Sequence, residues 1–336
     1  MTVDESQTDT NTTDDDLTAA DVAWNIDTIL PDGATPADLF DRADALADEL
    51  TSLRGRVGTL DAGELAAAMH TLAELQDLMS RAGYHAMLAF STATDDPARG
   101  AAMAAAQERS TAIGTKLIFI DLEWAAADDD HVASVLADPR LDFCRHHLDN
   151  LRLSRPYLLS EAEETIVAEK SQTGFAAWTR LFDELTSAIA VDLPDELGGP
   201  GRPLMQATSM LQHPDRDVRR QVAEGINVGL EPGLRTRAFL FNTLLLDKSI
   251  DDRLRGYPSW ISSRNLANEA SDESVQALVD AVVDNYSIPQ RWYALKAKVL
   301  GIDKLADYDR MASVATTDRD IGWAEGTQIV RDAYAS

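Results

Sequence analysis

In the run from Gly174 to Leu193, GFAAWTRLFDELTSAIAVDL, apolar residues return every three to four positions. At 3.6 residues per turn Phe175, Trp178, Leu181, Phe182 and Leu185 share one stripe, while Thr179, Arg180, Asp183 and Glu184 face away. A stripe of that kind belongs in a core, so the chain is expected to fold by packing helices on one another.

The same period, bracketed by capping residues, recurs along most of the chain. Thr35 and Pro36 open a segment bearing Leu39, Leu46, Leu50 and Leu53, and Asp61 with Glu64 forms a capping pair ahead of Leu65, Met69, Leu72 and Met79. Asp96 and Pro97 start an Ala-rich helix reaching about Ala126, which Asp128–Asp130 breaks. A short helix follows to Ala137, Pro139 interrupts, and Leu141–Leu153 resumes with Phe143, Leu148 and Leu151 as core candidates. Ser160 and Glu163 cap the next helix. Between Ala188 and Leu211, AIAVDL and PLMQATSML read as two strands joined by the turn residues DELGGPGR. Helical spacing then returns from Pro214, through Phe239–Leu246, and from Ser271 to Tyr286; Gly301 is placed as a C-cap. A last helix, about Ile321 to Ser336, carries Trp323, Thr327, Val330 and Tyr334 on one face. The expected fold is mainly α, an elongated helical bundle with one small β-hairpin.

Acidic residues number 57 against 30 basic, a formal charge of -27, and lysine occurs only at 116, 170, 248, 296, 298 and 304. Such a surface repels nucleic-acid phosphates and anionic lipid, so neither nucleic acid nor membrane is an expected partner. Self-repulsion of this size calls for screening, which molar salt supplies by shortening the Debye length to about 3 Å. The composition therefore points to a halophile, and a halophilic archaeon is the expected source. Residues 1–20, MTVDESQTDTNTTDDDLTAA, lack apolar periodicity and are expected to be a disordered acidic tail. They have neither the basic start nor the apolar stretch of a secretory signal, and the lone Cys144 suits a reducing compartment. Cytoplasmic location is expected.

Chemistry-bearing motifs are sparse. No G-x-G-x-x-G, P-loop or G-x-S-x-G pattern occurs, and Gly198, Gly199 and Gly201 read as a turn and not a phosphate cradle. His146 and His147 are adjacent, so their rings diverge by about 100° on a helix; Asp142 and His146 are suitably spaced for a shared ion, but a solvated polar face explains them. His213 reads as a turn residue before a helix, and Asp215, Arg216, Asp217, Arg219 and Arg220 as that helix's charged start and solvated face. Tyr257, Pro258 and Trp260 form an aromatic turn expected to pack in a core. No residue is assigned a catalytic, cofactor-binding or metal-ligating role.

Beyond its period, the wording of the 174–193 segment resembles the junction in oligoendopeptidase F, a zinc-dependent peptidase of the thimet oligopeptidase group, where a helical N-terminal part meets the catalytic domain. Trp24, Ile26 and Leu30 in VAWNIDTIL resemble that family's opening, and SMLQHPDRDVRRQVAEG, FNTLLLDKSIDDRLRGYPSW and YALKAKVLGIDKLADYD follow in its order, from residue 22 to residue 310. After Asp309 the family continues with an aromatic, proline-containing phrase, where this chain has RMASVATTDRD. The resemblance implies a channel-shaped metallopeptidase fold divided as 21–120, an N-terminal helical region; 121–195, the oligoendopeptidase F N-terminal domain; and 196–336, the start of the catalytic domain. It also implies hydrolysis of internal bonds of short peptides by zinc-activated water in the complete enzyme. The zinc site of that family is H-E-x-x-H, two histidines four apart on a helix with a glutamate to activate water. None of His70, His85, His131, His146, His147 and His213 begins that motif. The chain is therefore expected to be an N-terminal portion, truncated before the zinc motif, that binds no catalytic zinc and is inactive alone. The rival expectation is a non-catalytic helical scaffold or interaction module, or a subunit completed by another chain. Phe239, Leu240, Leu244–Leu246 and Val275–Val283 separate the two: a lost catalytic half would leave them uncovered.

Overall fold

The computed structural model describes residues 24–314 and 321–335; the segment 1–20, expected to be a tail, lies outside the described residues. The chain divides into two compact units, Ile26–Ala312 and a second made of Met1–Asn25 with Ser313–Ser336.

The larger unit begins with helices whose starts are set by the residues just before them. α1 (Pro36–Thr51) is closed by a capping box: the Asp38 N–H donates to the Thr35 hydroxyl at 3.2 Å, and the Thr35 N–H donates to the Asp38 carboxylate at 2.9 Å. α2 (Ala62–Ser91) has the same reciprocal arrangement between Asp61 and Glu64. In α3 (Pro97–Ala126) the Asp96 carboxylate accepts from the first turn and Pro97 needs no donor there. The apolar faces of these three helices, with α4 (Asp129–Leu136) and α5 (Arg145–Leu153), enclose the main core around Phe40, Leu65, Leu75, Ile113, Phe119 and Trp124. Trp124 is the anchor: its ring is buried and its indole N–H donates to the Leu148 carbonyl at 2.9 Å, so a large apolar group is sealed without an orphan donor.

α6 (Glu161–Ser171) starts at the expected Ser160–Glu163 capping box, and α7 (Phe175–Ser187) follows. Two core expectations fail here. Phe143 is half exposed and stacks flat on His70 with ring centroids 4.0 Å apart; of the three expected core positions Leu148 is buried and Leu151 packs beside it, while Leu141 and Cys144 join the core from the same segment. The stripe of α7 contains no buried residue, because Trp178 meets Phe239 edge-on and Phe175 and Phe182 stay open.

The hairpin is smaller than its sequence indicates. β1 (Ala190–Val191) pairs antiparallel with β2 (Arg202–Pro203), in the register Ala190 to Pro203 and Val191 to Arg202. PLMQATSML is not a strand: after Pro203 it turns into α8 (Leu204–Ser209), with Leu204, Ala207, Met210 and Leu211 at helical spacing against a second small core. α9 (Arg216–Leu230) lies close over the hairpin. A Cβ on Gly225 would come within 2.9 Å of the Asp192 carbonyl oxygen and one on Gly229 within 2.8 Å of the Ala190 carbonyl, so only glycine permits that approach. α10 (Leu234–Arg255), α11 (Ser262–Ala267), α12 (Asp272–Asp284) and α13 (Ser287–Val299) complete the unit, and Gly301 at φ +68° terminates α13 as expected.

In the second unit the described residues form one helix, α14 (Trp323–Ala335), with Trp323, Val330 and Tyr334 exposed. Among the described residues the fold is mainly α with one hairpin of two-residue strands. No described helix is long and apolar enough to cross a membrane.

Candidate functional site

The most distinctive surface lies on α10, α12 and α13. Leu240 of α10 is fully buried, but Phe239, Phe241, Leu245 and Leu246 on the same helix are open, Leu246 at 61 %. α12 has an apolar stripe and no buried residue at all; Leu278 is 65 % exposed, with Val279, Val282 and Val283 alongside. Trp292, Leu295 and Val299 of α13 are similarly open. Amphipathic helices form stably by burying such faces, so each of these three helices presents an uncovered stripe suited to apolar cover.

A buried ionic clamp that the sequence did not show joins α9 to the turn at Asp307–Asp309. Asp309 is fully buried and accepts from Arg216 at 3.0 Å, from Arg219 at 2.9 Å and from the Ala306 N–H at 2.9 Å. Arg219, expected on a solvated face, is only 2 % exposed and also donates to the His213 and Pro214 carbonyls. Burial alone would raise the Asp309 carboxyl; the two guanidinium groups and the backbone donor outweigh it and hold its pKa down to about 2. A second pair ties α10 to α6: Arg255 grips Glu164 with both terminal nitrogens, at 2.6 and 2.9 Å. That guanidinium lowers the Glu164 carboxyl below its ordinary value.

The remaining candidates are scattered. His70 stacks on Phe143, His85 meets Asp27 at 2.9 Å, and His131 faces the Leu60 carbonyl. His146 contacts Glu269 and Asn150, bridging α5 to the residues after α11, while Asp142 pairs with Arg145 instead of sharing an ion with His146. His147 lines a separate recess with Tyr257 and Glu269. His213 accepts from the Asp215 N–H, the turn role expected of it. Tyr257 stacks on Tyr157 at 4.1 Å as a packed residue, but Trp260 of the same turn is exposed. Gly201 donates its N–H to the Asp192 carboxylate, so the glycine turn already holds an anion of its own.

These residues do not fit a catalytic zinc ion. Zinc in a hydrolytic site needs three converging protein ligands, and among the described residues no group of three His, Cys, Asp or Glu side chains is placed to hold a metal. Apart from His146 and His147, which both lie near Glu269, the histidines are dispersed, and none of the six precedes a glutamate.

Comparison with known proteins accounts for the architecture. The Oligopeptidase F family model matches residues 123–190. Group B oligopeptidase PepB of Streptococcus agalactiae serotype III (strain NEM316) is 24 % identical over 213 residues, 62 % of this chain and 35 % of the relative. Oligopeptidase PepF of Bacillus subtilis (strain 168) is 24 % identical over 182 residues, 52 % of this chain and 26 % of the relative. The crystal structure of oligoendopeptidase-F from Enterococcus faecium superposes with a TM-score of 0.71 at 19 % identity, over 89 % of this chain and 59 % of that one. The chain thus spans about a third or less of the curated relatives' length. In sequence at residues 123–190 and in fold over most of its described helices, it is related to the oligoendopeptidase F group of peptidases.

Proposed function

We propose that this chain forms the peptide-enclosing portion, without the catalytic metal, of an oligopeptidase that hydrolyses internal bonds of short peptides, and that residues outside these 336 hold the zinc and perform the chemistry. The observation that carries this reading is the uncovered apolar face of α10, α12 and α13, in a chain without H-E-x-x-H. In the proposed division, 21–120 is an N-terminal helical region, 121–195 the oligoendopeptidase F N-terminal domain, and 196–336 the start of the catalytic domain. The part played by this chain is positional: it orients and encloses the peptide and excludes water, and it supplies no ligand to zinc and no acid or base. Alone it binds no catalytic zinc and cleaves nothing. The acidic surface and single buried cysteine support a cytoplasmic, salt-adapted setting.

The test is the intact mass of the protein from its own cells at high salt, with hydrolysis of a fluorogenic oligopeptide assayed on the same material. A species substantially heavier than 36.6 kDa, or a stable complex with a second chain, whose cleavage is abolished by a chelator and restored by zinc, is the expected result. Cleavage by a homogeneous 36.6 kDa chain would overturn the proposal, as would a complex that cleaves nothing.

A further inference from the structure

His146 and Asn150 lie four residues apart on one face of α5, where side chains at that spacing meet. Glu269 reaches them from the turn between α11 and α12, 123 residues beyond His146. The His146 Nε2 is 2.7 Å from one oxygen of the Glu269 carboxylate, the Asn150 amide is 2.6 Å from the other, and amide and ring nitrogen are 3.0 Å apart.

These three contacts cannot all be hydrogen bonds at once, because one ring nitrogen takes part in two of them. Carrying a proton, it donates to Glu269 and meets the Asn150 NH₂ group donor to donor; without one, it accepts from Asn150 and turns its lone pair on the carboxylate. Turning the amide over sets its oxygen against the carboxylate instead. A cation removes the conflict, since a bare imidazole nitrogen, an amide oxygen and a carboxylate all give electron pairs to a metal. The spacing agrees as well: ligands about 2.1 Å from an octahedral ion stand about 3.0 Å apart on one face.

The backbone at Glu269 points the same way. Its N–H donates to the Leu266 carbonyl and that of Ala270 to the Asn265 carbonyl, both at 3.0 Å, the helix ending in which glycine usually occupies the left-handed position. Glu269 takes that position at φ +56°, and among the described residues no other non-glycine has a positive φ. The His146 and Glu269 side chains are 76 % and 52 % exposed, and so open an ion pair contributes little, which makes it a weak reason for a strained glutamate.

We propose that His146, Asn150 and Glu269 hold a divalent transition-metal ion through the imidazole Nε2, the amide oxygen and the carboxylate. The remaining positions go to water, for which the adjoining recess of about 280 Å³, lined by His147, Tyr257 and Ser263, has room. The imidazole selects a transition metal over Mg²⁺, and a net charge of -27 draws cations to the surface. The ion ties α5 of the main core to the turn that leads into α12. It is separate from the zinc of the proposed peptidase chemistry, so the two readings fall separately.

The test titrates the full chain calorimetrically with Ni²⁺ in about 1 M KCl, where surface fields are screened to about 3 Å. One ion binds saturably per chain, raises the melting temperature and is not displaced by a hundredfold excess of Mg²⁺. Glu269→Gly relieves the left-handed backbone, so the metal-free melting temperature stays equal or rises while Ni²⁺ affinity falls at least about tenfold. An intact melting temperature there separates loss of the site from loss of the fold. Asn150→Asp, which puts a second carboxylate on the ion, raises affinity at least about tenfold, whereas a hydrogen-bonded bridge without metal would gain nothing. Asp142→Asn leaves affinity unchanged, because Asp142 is engaged with Arg145. Absence of saturable binding, undiminished affinity in Glu269→Gly, no gain in Asn150→Asp, or loss in Asp142→Asn would each overturn the proposal.

Discussion

Asp309 is the side chain on which most depends locally, because its charge is taken fully out of water and balanced by Arg216 and Arg219. Asp309→Asn leaves Arg219 buried without its counter-charge, and is expected to cost about 3–5 kcal/mol in urea unfolding at neutral pH. The pH dependence follows from a folded-state pKa depressed to about 2 from the ordinary 3.8. This contribution, about 2 kcal/mol, is fully present above the unfolded value and is lost as pH falls from about 4 toward 2. Unfolding curves at stepped pH should show that loss in the parent chain and lack it in Asp309→Asn. Nothing around Arg219 distinguishes it from Arg220 in the sequence, since both sit in one basic helix turn. The difference is a partner 90 residues away, which only the folded chain brings near.

At the scale of single elements, helix starts were legible because capping chemistry is local: Thr35, Asp61, Asp96 and Ser160 each accept a hydrogen bond within three residues. Thr35→Ala should therefore lower stability by about 1 kcal/mol, checked by chemical unfolding, with the far-ultraviolet helix signal of the native state retained. The second strand was misread because PLMQATSML is apolar at both strand-like and helical intervals, and a run that short is arbitrated by its surroundings. Packing against α9 selected the helix. The face of α12 gives a further expectation. Val282→Asp in this chain alone should change stability by less than about 0.5 kcal/mol, because the residue is half exposed, yet should abolish association with a completing half in size-exclusion chromatography. A large loss of stability in the isolated chain would mean that α12 is already covered.

Over the whole molecule, the charge of -27 dominates behaviour that no single contact explains. Raising KCl from about 0.1 M to about 1 M shortens the screening length from about 10 to about 3 Å, and the melting temperature should rise across that range. A melting temperature that falls would show that ion pairs such as Arg255–Glu164, weakened by salt, outweigh the relief of self-repulsion. The sequence by itself determined the helical class, the helix starts, the exclusion of a zinc motif within these residues and the resemblance to oligoendopeptidase F, because each is written in local spacing or in contiguous wording. Only tertiary structure decided which apolar stripes are core and which are open, that Arg219 is a buried counter-ion, and that Glu269 meets His146 and Asn150. Those properties depend on which distant segments meet, and periodicity marks that a face is apolar without naming what covers it.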